Sequence, residues 1–215
     1  FKRVDYRDWA DIYVINTCSV TDNADKEARK LVRQAKRQNP DSSVAVIGCY
    51  AQLKPDEIAN LDGVDMVLGA EEKFNLLEHL DEMELSKDTT IFNSSVERLN
   101  DFKPSFSIGE RTRSYLKVQD GCDYTCSFCT IPLARGRSRS ADIKTTMKIA
   151  REIETHGVKE IVLTGVNVGD FGHKEDETFL DLISELDRLD NIERIRVSSI
   201  EPNLLNESII EFCNS

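Results

Sequence analysis

Residues 11–48, DIYVINTCSVTDNADKEARKLVRQAKRQNPDSSVAVIG, carry the pattern that decides the fold of the first half of the chain. The segments DIYVIN and SVAVIG are short, apolar and rich in β-branched residues, which is typical of buried strands. Between them, apolar residues recur at helical spacing, and Pro40 follows the end of this pattern. A strand, a helix and a second strand in this order predict a parallel sheet covered by helices. The apolar helix positions are Ala24, Ala28, Leu31, Val32 and Ala35.

The alternation of strands and helices continues along the chain. Further predicted strands are DMVLG (65–69), SYLKVQ (114–119), EIVLTG (160–165) and RIRVSS (194–199). Further predicted helices are PDEIANL (55–61), EEKFNLLEHLDEME (71–84), ADIKTTMKIAREIETHG (141–157) and TFLDLISELDRL (178–189), with the start of another after the last strand.

A segment without clear periodicity, from about residue 92 to residue 112, separates two alternating series and is typical of a linker. We therefore predict an α/β protein with a doubly wound parallel-sheet domain over residues 1–95, a linker over 96–112 and part of a (β/α) barrel over 113–215. The second series has only three βα units, and the chain starts at Phe1 and ends inside a helical pattern. We expect a fragment truncated at both ends.

Composition and charge limit the classes of function. The chain has 215 residues, 40% of them hydrophobic and 31% charged, which is typical of a soluble globular protein. The apolar runs are far shorter than the roughly 18 residues of a membrane span. The first residues lack the features of a signal peptide, so we expect a cytoplasmic protein. The net charge of -11 disfavours a nucleic-acid partner unless basic residues are locally concentrated.

Three cysteines, Cys122, Cys126 and Cys129, fall within the octapeptide CDYTCSFC. Thiolates are soft ligands that select zinc or iron–sulfur clusters. A structural zinc site needs four protein ligands, and no further cysteine or histidine lies within about twenty residues of this trio. Three cysteines on an iron–sulfur cube leave the fourth iron open for an exogenous ligand, which suits catalysis. Zinc binding and unligated buried thiols remain the alternatives.

The octapeptide resembles the Cys-x3-Cys-x2-Cys signature of the radical S-adenosylmethionine superfamily, in which the position of Phe128 is typically aromatic. The wider segment VQDGCDYTCSFCTIPLARGRSRS (118–140), together with INTCSVT (15–21) and VIGCYAQ (46–52), resembles the methylthiotransferases. Within that family, the segments VQDGC (118–122) and IPLARGRSRS (131–140) are most similar to the branch that modifies threonylcarbamoyladenosine beside the tRNA anticodon. The barrel predicted over residues 113–215 is then part of a radical SAM barrel.

This resemblance implies a catalytic 4Fe-4S cluster held by Cys122, Cys126 and Cys129, with S-adenosylmethionine on the open iron. The segment LTGVNVG (163–169) matches the region near the methionine end of the cofactor, and SSIEP (198–202) matches the region that contacts its ribose. The implied cofactor-binding residues are Phe128, Thr164, Gly165, Asn167, Ser198, Glu201 and Arg139. Two alternatives stay open, since Gly165 also suits a turn and Ser198 with Glu201 also suits a helix cap.

The resemblance also implies a second, auxiliary 4Fe-4S cluster, for which Cys18 and Cys49 match two of the three ligands. The first ligand belongs to a Gly-Cys segment upstream of DIYVIN that this sequence lacks, so we expect this chain not to hold the auxiliary cluster properly. Without the resemblance, Cys18 and Cys49 would be interpreted as small buried hydrophobic residues. We assign Cys213 to packing with its apolar neighbours.

Three arginines, Arg135, Arg137 and Arg139, follow the cysteine loop. Their guanidinium groups suit a cofactor carboxylate or tRNA phosphates, and the alternative is a solvated basic loop.

The function that the resemblance implies is radical SAM insertion of a methylthio group into threonylcarbamoyladenosine in tRNA. The expected partners are tRNA, S-adenosylmethionine and an electron donor, with no membrane association. One alternative is the same chemistry on isopentenyladenosine in tRNA or on an aspartate of a ribosomal protein. A second alternative, from another class, is a non-enzymatic iron–sulfur or zinc scaffold. We expect this fragment to be inactive alone.

Overall fold

The computed structural model describes residues 1–18, 22–83, 88–99, 101–107, 112–173 and 176–214. Their contacts divide the chain into two units, and each unit combines two separate stretches of the sequence. The first unit contains Phe1–Leu99 together with Cys126–Arg135, and the second contains Asn100–Thr125 together with Gly136–Ser215.

The first unit is built on a parallel sheet of four strands in the order β1-β2-β3-β4. The strands are β1 (Ile12–Thr17), β2 (Ser43–Gly48), β3 (Met66–Leu68) and β4 (Thr90–Phe92). The helices are α1 (Asp22–Gln38), α2 (Cys49–Leu53), α3 (Pro55–Ala59), α4 (Leu76–Met83) and α5 (Ile131–Arg135), with 3-10 turns at Glu72–Asn75 and Val96–Arg98. The predicted α/β class with a parallel sheet is confirmed.

Burial in this sheet follows strand position. The inner strand β2 is apolar and buried along most of its length, as expected for a parallel strand covered on both faces. The edge strand β1 alternates, with Tyr13 and Ile15 buried and Val14 exposed. The predicted apolar stripe of α1 is confirmed at Ala28, Val32 and Ala35, which are buried against the sheet, and at Leu31, which packs at its margin, while the side chain of Ala24 lies outside the described residues.

The second unit contains a mixed sheet in the order β10-β9-β6-β5, in which only β5 is antiparallel to its neighbour. A separate antiparallel pair joins β7 to β8. The strands are β5 (Ser105–Phe106), β6 (Arg113–Lys117), β7 (Gln119–Asp120), β8 (Arg139–Ser140), β9 (Glu160–Thr164) and β10 (Arg194–Val197). The helices are α6 (Ile143–Thr155), α7 (Phe179–Leu186) and α8 (Glu207–Asn214), with a 3-10 turn at Val168–Asp170.

Local signals fix where the long helices of this unit begin. The Asp142 carboxylate accepts a hydrogen bond from the Thr145 amide at 2.6 Å and caps α6. Hydrogen bonding to Thr145 holds the pKa of Asp142 below its ordinary value. Thr178 and Asp181 form a capping box at the start of α7. The buried faces of both helices then pack on β6 and β9 to form the core of the unit.

Several elements differ from the sequence-based prediction, which also lacked β4, β8, α2 and α5. The predicted strand 114–119 divides, because the Val118 amide still bonds the Thr164 carbonyl at 2.9 Å whereas the chain from Gln119 onward pairs with β8. The helix predicted over 71–84 begins as a 3-10 turn, and its last residue lies outside the described residues. Strand β5 forms within the predicted linker, of which residues 100 and 108–111 also lie outside the described part. The domain boundaries stay a prediction.

None of the described helices is both long and apolar enough to cross a membrane.

Gly48 and Gly63 both lie in the first unit in the left-handed region, with φ of 104° and 92°. A Cβ at Gly48 would lie 2.3 Å from the Thr17 carbonyl oxygen, which is backbone, whereas a Cβ at Gly63 would meet only the flexible side chain of Lys36 at 2.8 Å. We therefore predict that Gly63→Ala lowers the free energy of unfolding by about 1 kcal/mol, from backbone strain, and that Gly48→Ala lowers it by about 3 kcal/mol or more, because a steric clash is added. Urea titrations followed by circular dichroism measure both losses, and equal losses would contradict the clash at Gly48.

Candidate functional site

The structure brings Cys18 and Cys49 to the same edge of the first sheet. Thr17 and Gly48 are paired in register at the carboxyl ends of β1 and β2, and each cysteine is the next residue along its strand. Gly48 allows the two strand ends to approach closely, since it has no side chain to meet the Thr17 carbonyl. Cys18 is exposed and Cys49 is half-buried. The two residues predicted to be auxiliary-cluster ligands therefore leave adjacent strands, at the edge where open α/β sheets bind ligands.

Arg135 lies beside Cys49 within the first unit. Its Nε donates a hydrogen bond to the Cys49 Sγ at 3.4 Å, and α5, which Arg135 ends, packs against α2, which Cys49 begins. A charged N–H donor stabilises negative charge on sulfur, so this contact suits a Cys49 that acts as a thiolate ligand. The sequence indicated a carboxylate or phosphate as the partner of Arg135 and missed this sulfur contact, which joins positions far apart along the chain.

The boundary between the two units falls inside the cysteine loop, after Thr125. On the side of the first unit, the Cys129 amide donates to the Cys126 carbonyl at 3.1 Å, which closes a tight turn just before α5. Cys126 and Cys129 are exposed, and Phe128 is 99% exposed. Phe128 therefore has no role in the core of this unit, and its cofactor contact stays a prediction.

On the side of the second unit, the chain around Cys122 is closely fitted to the segment that follows the loop. Gly121 has a φ of 72°, and a Cβ there would lie 2.0 Å from the Arg137 carbonyl oxygen. The Cys122 amide donates to the Gly136 carbonyl at 3.1 Å, and Asp123 Oδ1 accepts from the Ser138 amide at 3.2 Å. The backbone that carries Cys122 is thus held from both sides, whereas its thiol is half-buried and forms no disulfide.

A compact ion-pair group supports this side of the loop. Asp120 is buried, and its Oδ1 accepts from the Gly121 amide at 2.9 Å. Its Oδ2 accepts from Lys117 Nζ at 2.7 Å and lies 3.4 Å from Arg139 Nη2. Arg139 also donates to the carbonyls of Arg137 and Asp101. These contacts give Arg139 a role in building the loop, and its predicted cofactor contact stays a prediction.

The segments after β9 and β10 are tied together at the carboxyl ends of the strands. Asn167 is 2% exposed, and its Oδ1 accepts from the Glu201 amide at 3.1 Å. The hydroxyl of Ser198 donates to the Leu163 carbonyl at 2.7 Å, and that of Thr164 donates to the Leu116 carbonyl at 3.3 Å. Four of the predicted cofactor-binding residues, Thr164, Asn167, Ser198 and Glu201, therefore belong to one connected edge.

The alternative of a helix cap at Ser198 and Glu201 does not hold. The helix after β10 begins only at Glu207, and the Ser198 hydroxyl is directed to β9 instead. Between them, Ser199 has a φ of 52°, and it is the one residue other than glycine with a positive φ among the described residues. Such a backbone is costly for a residue with a side chain and is found disproportionately at binding sites.

Gln119 is the functional candidate that the sequence did not indicate. It is 0% exposed, and its side-chain amide connects the start of the cysteine loop to the segment after β9. Gly165, whose φ is not positive, lies against it, since a Cβ at Gly165 would be 2.9 Å from Gln119 Oε1. Close approach to Gln119, rather than turn geometry, is therefore what requires glycine at position 165. A single glutamine at the end of a predicted strand carries no periodic signal that marks it.

The thiols suit an iron–sulfur cluster better than one metal ion. Within the described residues, no three histidine, cysteine, aspartate or glutamate side chains are placed to hold a single ion. A tetrahedral zinc site needs four ligands that converge closely on one point. The ligands of a cube bind different irons and stand farther apart, and the open iron needs no fourth residue. The donor set of three cysteines fits that requirement.

Two protein families match separate parts of the chain. Residues 116–213 match the radical SAM superfamily. Residues 1–69 match a family described as uncharacterized protein family UPF0004. The radical SAM match covers the cysteine loop and both cofactor segments, and the UPF0004 match covers Cys18 and Cys49. The chain thus contains a radical SAM region preceded by a region of a second family.

Curated relatives identify the family more closely. The chain is 41% identical over 217 residues to the threonylcarbamoyladenosine tRNA methylthiotransferase MtaB of Bacillus subtilis, an alignment that covers 98% of this chain and 48% of the relative. It is 36% identical to the enzyme of the same name from Aquifex aeolicus, covering 98% and 52%. It is 30% identical to the tRNA-2-methylthio-N(6)-dimethylallyladenosine synthase of Endomicrobium trichonymphae, covering 94% and 46%.

The chain belongs to the radical SAM methylthiotransferase family. It spans about half the length of the curated relatives that it matches. Members of this family use S-adenosylmethionine and two 4Fe-4S clusters.

Asp170, in the turn after β9, provides a test of the electrostatics at this edge. Its Oδ2 accepts from Asn167 Nδ2 at 3.1 Å, and burial raises its pKa above the ordinary value, with nearby Asp123 adding to the increase. A carboxyl group with a raised pKa in the folded state contributes most to stability at low pH, and that contribution is lost as the pH rises through the raised pKa.

We therefore predict that Asp170→Asn becomes more stable relative to wild type as the pH rises from about 4, near the ordinary aspartate pKa, towards neutrality. Melting temperatures between these limits measure the difference. Asp190→Asn, at an exposed aspartate of the same unit, is the control and should change the melting temperature little. A deficit of Asp170→Asn that is constant with pH would contradict the prediction.

Proposed function

We propose that the protein containing this chain inserts a methylthio group into threonylcarbamoyladenosine of tRNA by radical SAM chemistry. The observation that carries the proposal is the joint presence of two thiol sites: the loop of Cys122, Cys126 and Cys129, and the strand-end pair Cys18 and Cys49. A methylthio group requires both a sulfur and a methyl donor, so two sulfur-rich centres in one chain suit this product. The names of the relatives from Bacillus subtilis and Aquifex aeolicus support the choice of acceptor.

The catalytic cluster would be held by Cys122, Cys126 and Cys129. When bound, it supplies the electron that splits the sulfonium of S-adenosylmethionine and the open iron that chelates the methionine end. The backbone at Thr164 and Gly165 would bind that methionine end, since it lies at a strand terminus where main-chain groups face ligands. The exposed side chain of Glu201 would accept hydrogen bonds from the ribose hydroxyls, and Phe128 would cover the bound cofactor from the loop.

The remaining site residues would orient the cofactors and the substrate. Cys18 and Cys49 would hold the auxiliary cluster, with Arg135 donating to the Cys49 sulfur. Asn167 would keep the two cofactor segments at a fixed separation through its bond to the Glu201 amide. Arg139 would hold the loop through Asp120, while the exposed Arg137 is available for a tRNA phosphate. An electron donor and a cytoplasmic location, where tRNA is modified, complete the proposal.

One other acceptor has specific support. The relative from Endomicrobium trichonymphae is named for dimethylallyladenosine, but at 30% identity it is less similar than the two relatives named for threonylcarbamoyladenosine. An aspartate of a ribosomal protein and a non-enzymatic scaffold have no such support.

We predict that Cys126→Ala abolishes most cluster binding at the loop and all reductive cleavage of S-adenosylmethionine, because a cube held by two thiolates loses an anchor. The measurements are iron and acid-labile sulfide per chain after anaerobic reconstitution, and methionine release under reduction. Cys213→Ala is the matched control. Cys213 was expected to pack, but this was wrong, since it is exposed on α8. The control should keep its iron and sulfide, and equal losses in the two variants would refute the ligand assignment.

The acceptor is tested in cells. Deleting the gene should remove the methylthio derivative of threonylcarbamoyladenosine from total tRNA and leave that of isopentenyladenosine unchanged, since each adenosine needs its own binding pocket. Mass spectrometry of nucleosides from digested tRNA measures both. Unchanged methylthio-threonylcarbamoyladenosine would overturn the proposed acceptor without affecting the cluster assignment.

A further inference from the structure

Gln119 is a large polar side chain in the core of the second unit, with no exposure to solvent. Its Nε2 lies 2.7 Å from the Gly121 carbonyl, 2.9 Å from the Ser138 hydroxyl and 3.1 Å from the Asp120 carbonyl, so its two N–H groups are shared among three acceptors. Its Oε1 accepts from the amides of Val166 and Asn167, each at 2.9 Å. The hydrogen-bonding capacity of a side-chain amide is thereby used completely.

The two ends of this amide lie on different parts of the proposed site. The NH2 end bonds the peptide carbonyl of Gly121, the residue directly before Cys122. The oxygen end bonds two consecutive amides of the segment 163–169, which is proposed to receive the methionine end of S-adenosylmethionine. One rigid planar group therefore spans from the residue before Cys122 to the cofactor segment.

The surrounding backbone is shaped to accept this contact. A Cβ at Gly165 would lie 2.9 Å from Oε1 and 3.0 Å from the main-chain oxygen of Gln119, so any larger residue would push the cofactor segment away. A Cβ at Gly121 would collide with the Arg137 carbonyl, so the backbone before Cys122 packs directly against the segment that follows the loop. Both partners of Gln119 are thus confined, and its length sets the distance between them.

We propose that Gln119 is a positioning residue that fixes the separation and orientation of the methionine-binding segment relative to Cys122. This inference rests on the proposed function, because it takes that segment as the cofactor site. Gln119 itself touches neither the cofactor nor the cluster. It acts through the Gly121 carbonyl on one side and through the amides of Val166 and Asn167 on the other.

The first test needs no cofactor. In Gln119→Met, which keeps the length of the side chain but neither donates nor accepts as an amide does, the Val166 and Asn167 amides lose their acceptor. The hydrogen exchange of these two amides, measured by NMR on the 215-residue chain, should accelerate by at least about tenfold. Ser114→Ala is the control, because it removes a buried hydrogen bond to the Ser107 carbonyl at the opposite end of β6. It should leave exchange at positions 166 and 167 unchanged.

The second test measures cofactor affinity in the reconstituted full-length protein. Gln119→Met should retain wild-type iron content but weaken the binding of S-adenosylmethionine by at least about tenfold, since about two hydrogen bonds that orient its segment are lost. Gln119→Glu keeps an acceptor for the two amides but places a second oxygen against the Gly121 and Asp120 carbonyls, so it should also weaken binding. Gly165→Ala should weaken binding as Gln119→Met does, and the double variant should lose less than the sum of the two, since both changes displace the same segment.

The outcomes separate this inference from the proposed function. Wild-type affinity in Gln119→Met, or additive losses in the double variant, would overturn the role of Gln119 alone. A loss in Ser114→Ala equal to that in Gln119→Met would show a general effect of stability and would also overturn it. A wild-type protein that binds iron and sulfide but no S-adenosylmethionine would overturn both.

Discussion

Parallel pairing in register is the constraint on which the rest of the structure depends. In the first unit it places Thr17 opposite Gly48, and in the second it places Lys117 opposite Thr164. Within each sheet, the segments that leave the paired strands therefore lie at the same edge. The chemistry of the chain is concentrated at these edges. A slip of one residue would turn every strand side chain to the other face and would separate the groups that now meet.

The parts of the fold that the sequence predicted are those with local patterns. Strand β2 was predicted from Ser43 to Gly48, as observed, because a run of β-branched residues bounded by serine and glycine has few alternatives. The apolar stripe of α1 was equally clear. The role of the thiol loop stays a prediction, which rests on three cysteines at a spacing with few other uses.

The parts that escaped prediction depend on contacts between residues distant in sequence. Strands β7 and β8 are only two residues long, so they have no period to detect. The hydrogen bonds of Gln119 to Val166 and Asn167 span nearly fifty positions, and the contact of Arg135 with Cys49 spans 86. Nothing local distinguishes these polar residues from solvated ones, because their roles exist only once both partners are in place.

The basic segment after the loop illustrates how structure changes the meaning of charge. Three arginines beside a thiol loop suggested anion binding. In the folded chain, Arg139 is paired with the buried carboxylate of Asp120 and Arg135 donates to a sulfur, while Arg137 is exposed. Removing one partner of a buried ion pair such as that of Asp120 and Arg139 is costly, because it leaves the other charge uncompensated. Most of the positive charge in this segment therefore builds the site.

The segment Cys126–Arg135 belongs by its contacts to the first unit, although the sequence on both sides of it belongs to the second. A gene cut after residue 99 would thus separate α2 from its neighbour α5. Recombinant dissection of this chain at its linker would yield an amino-terminal piece that lacks the helix packed against α2 and a carboxyl-terminal piece whose loop lacks its partner. Minimal expression units for this protein have to keep the two pieces on one polypeptide or supply the missing helix by co-expression.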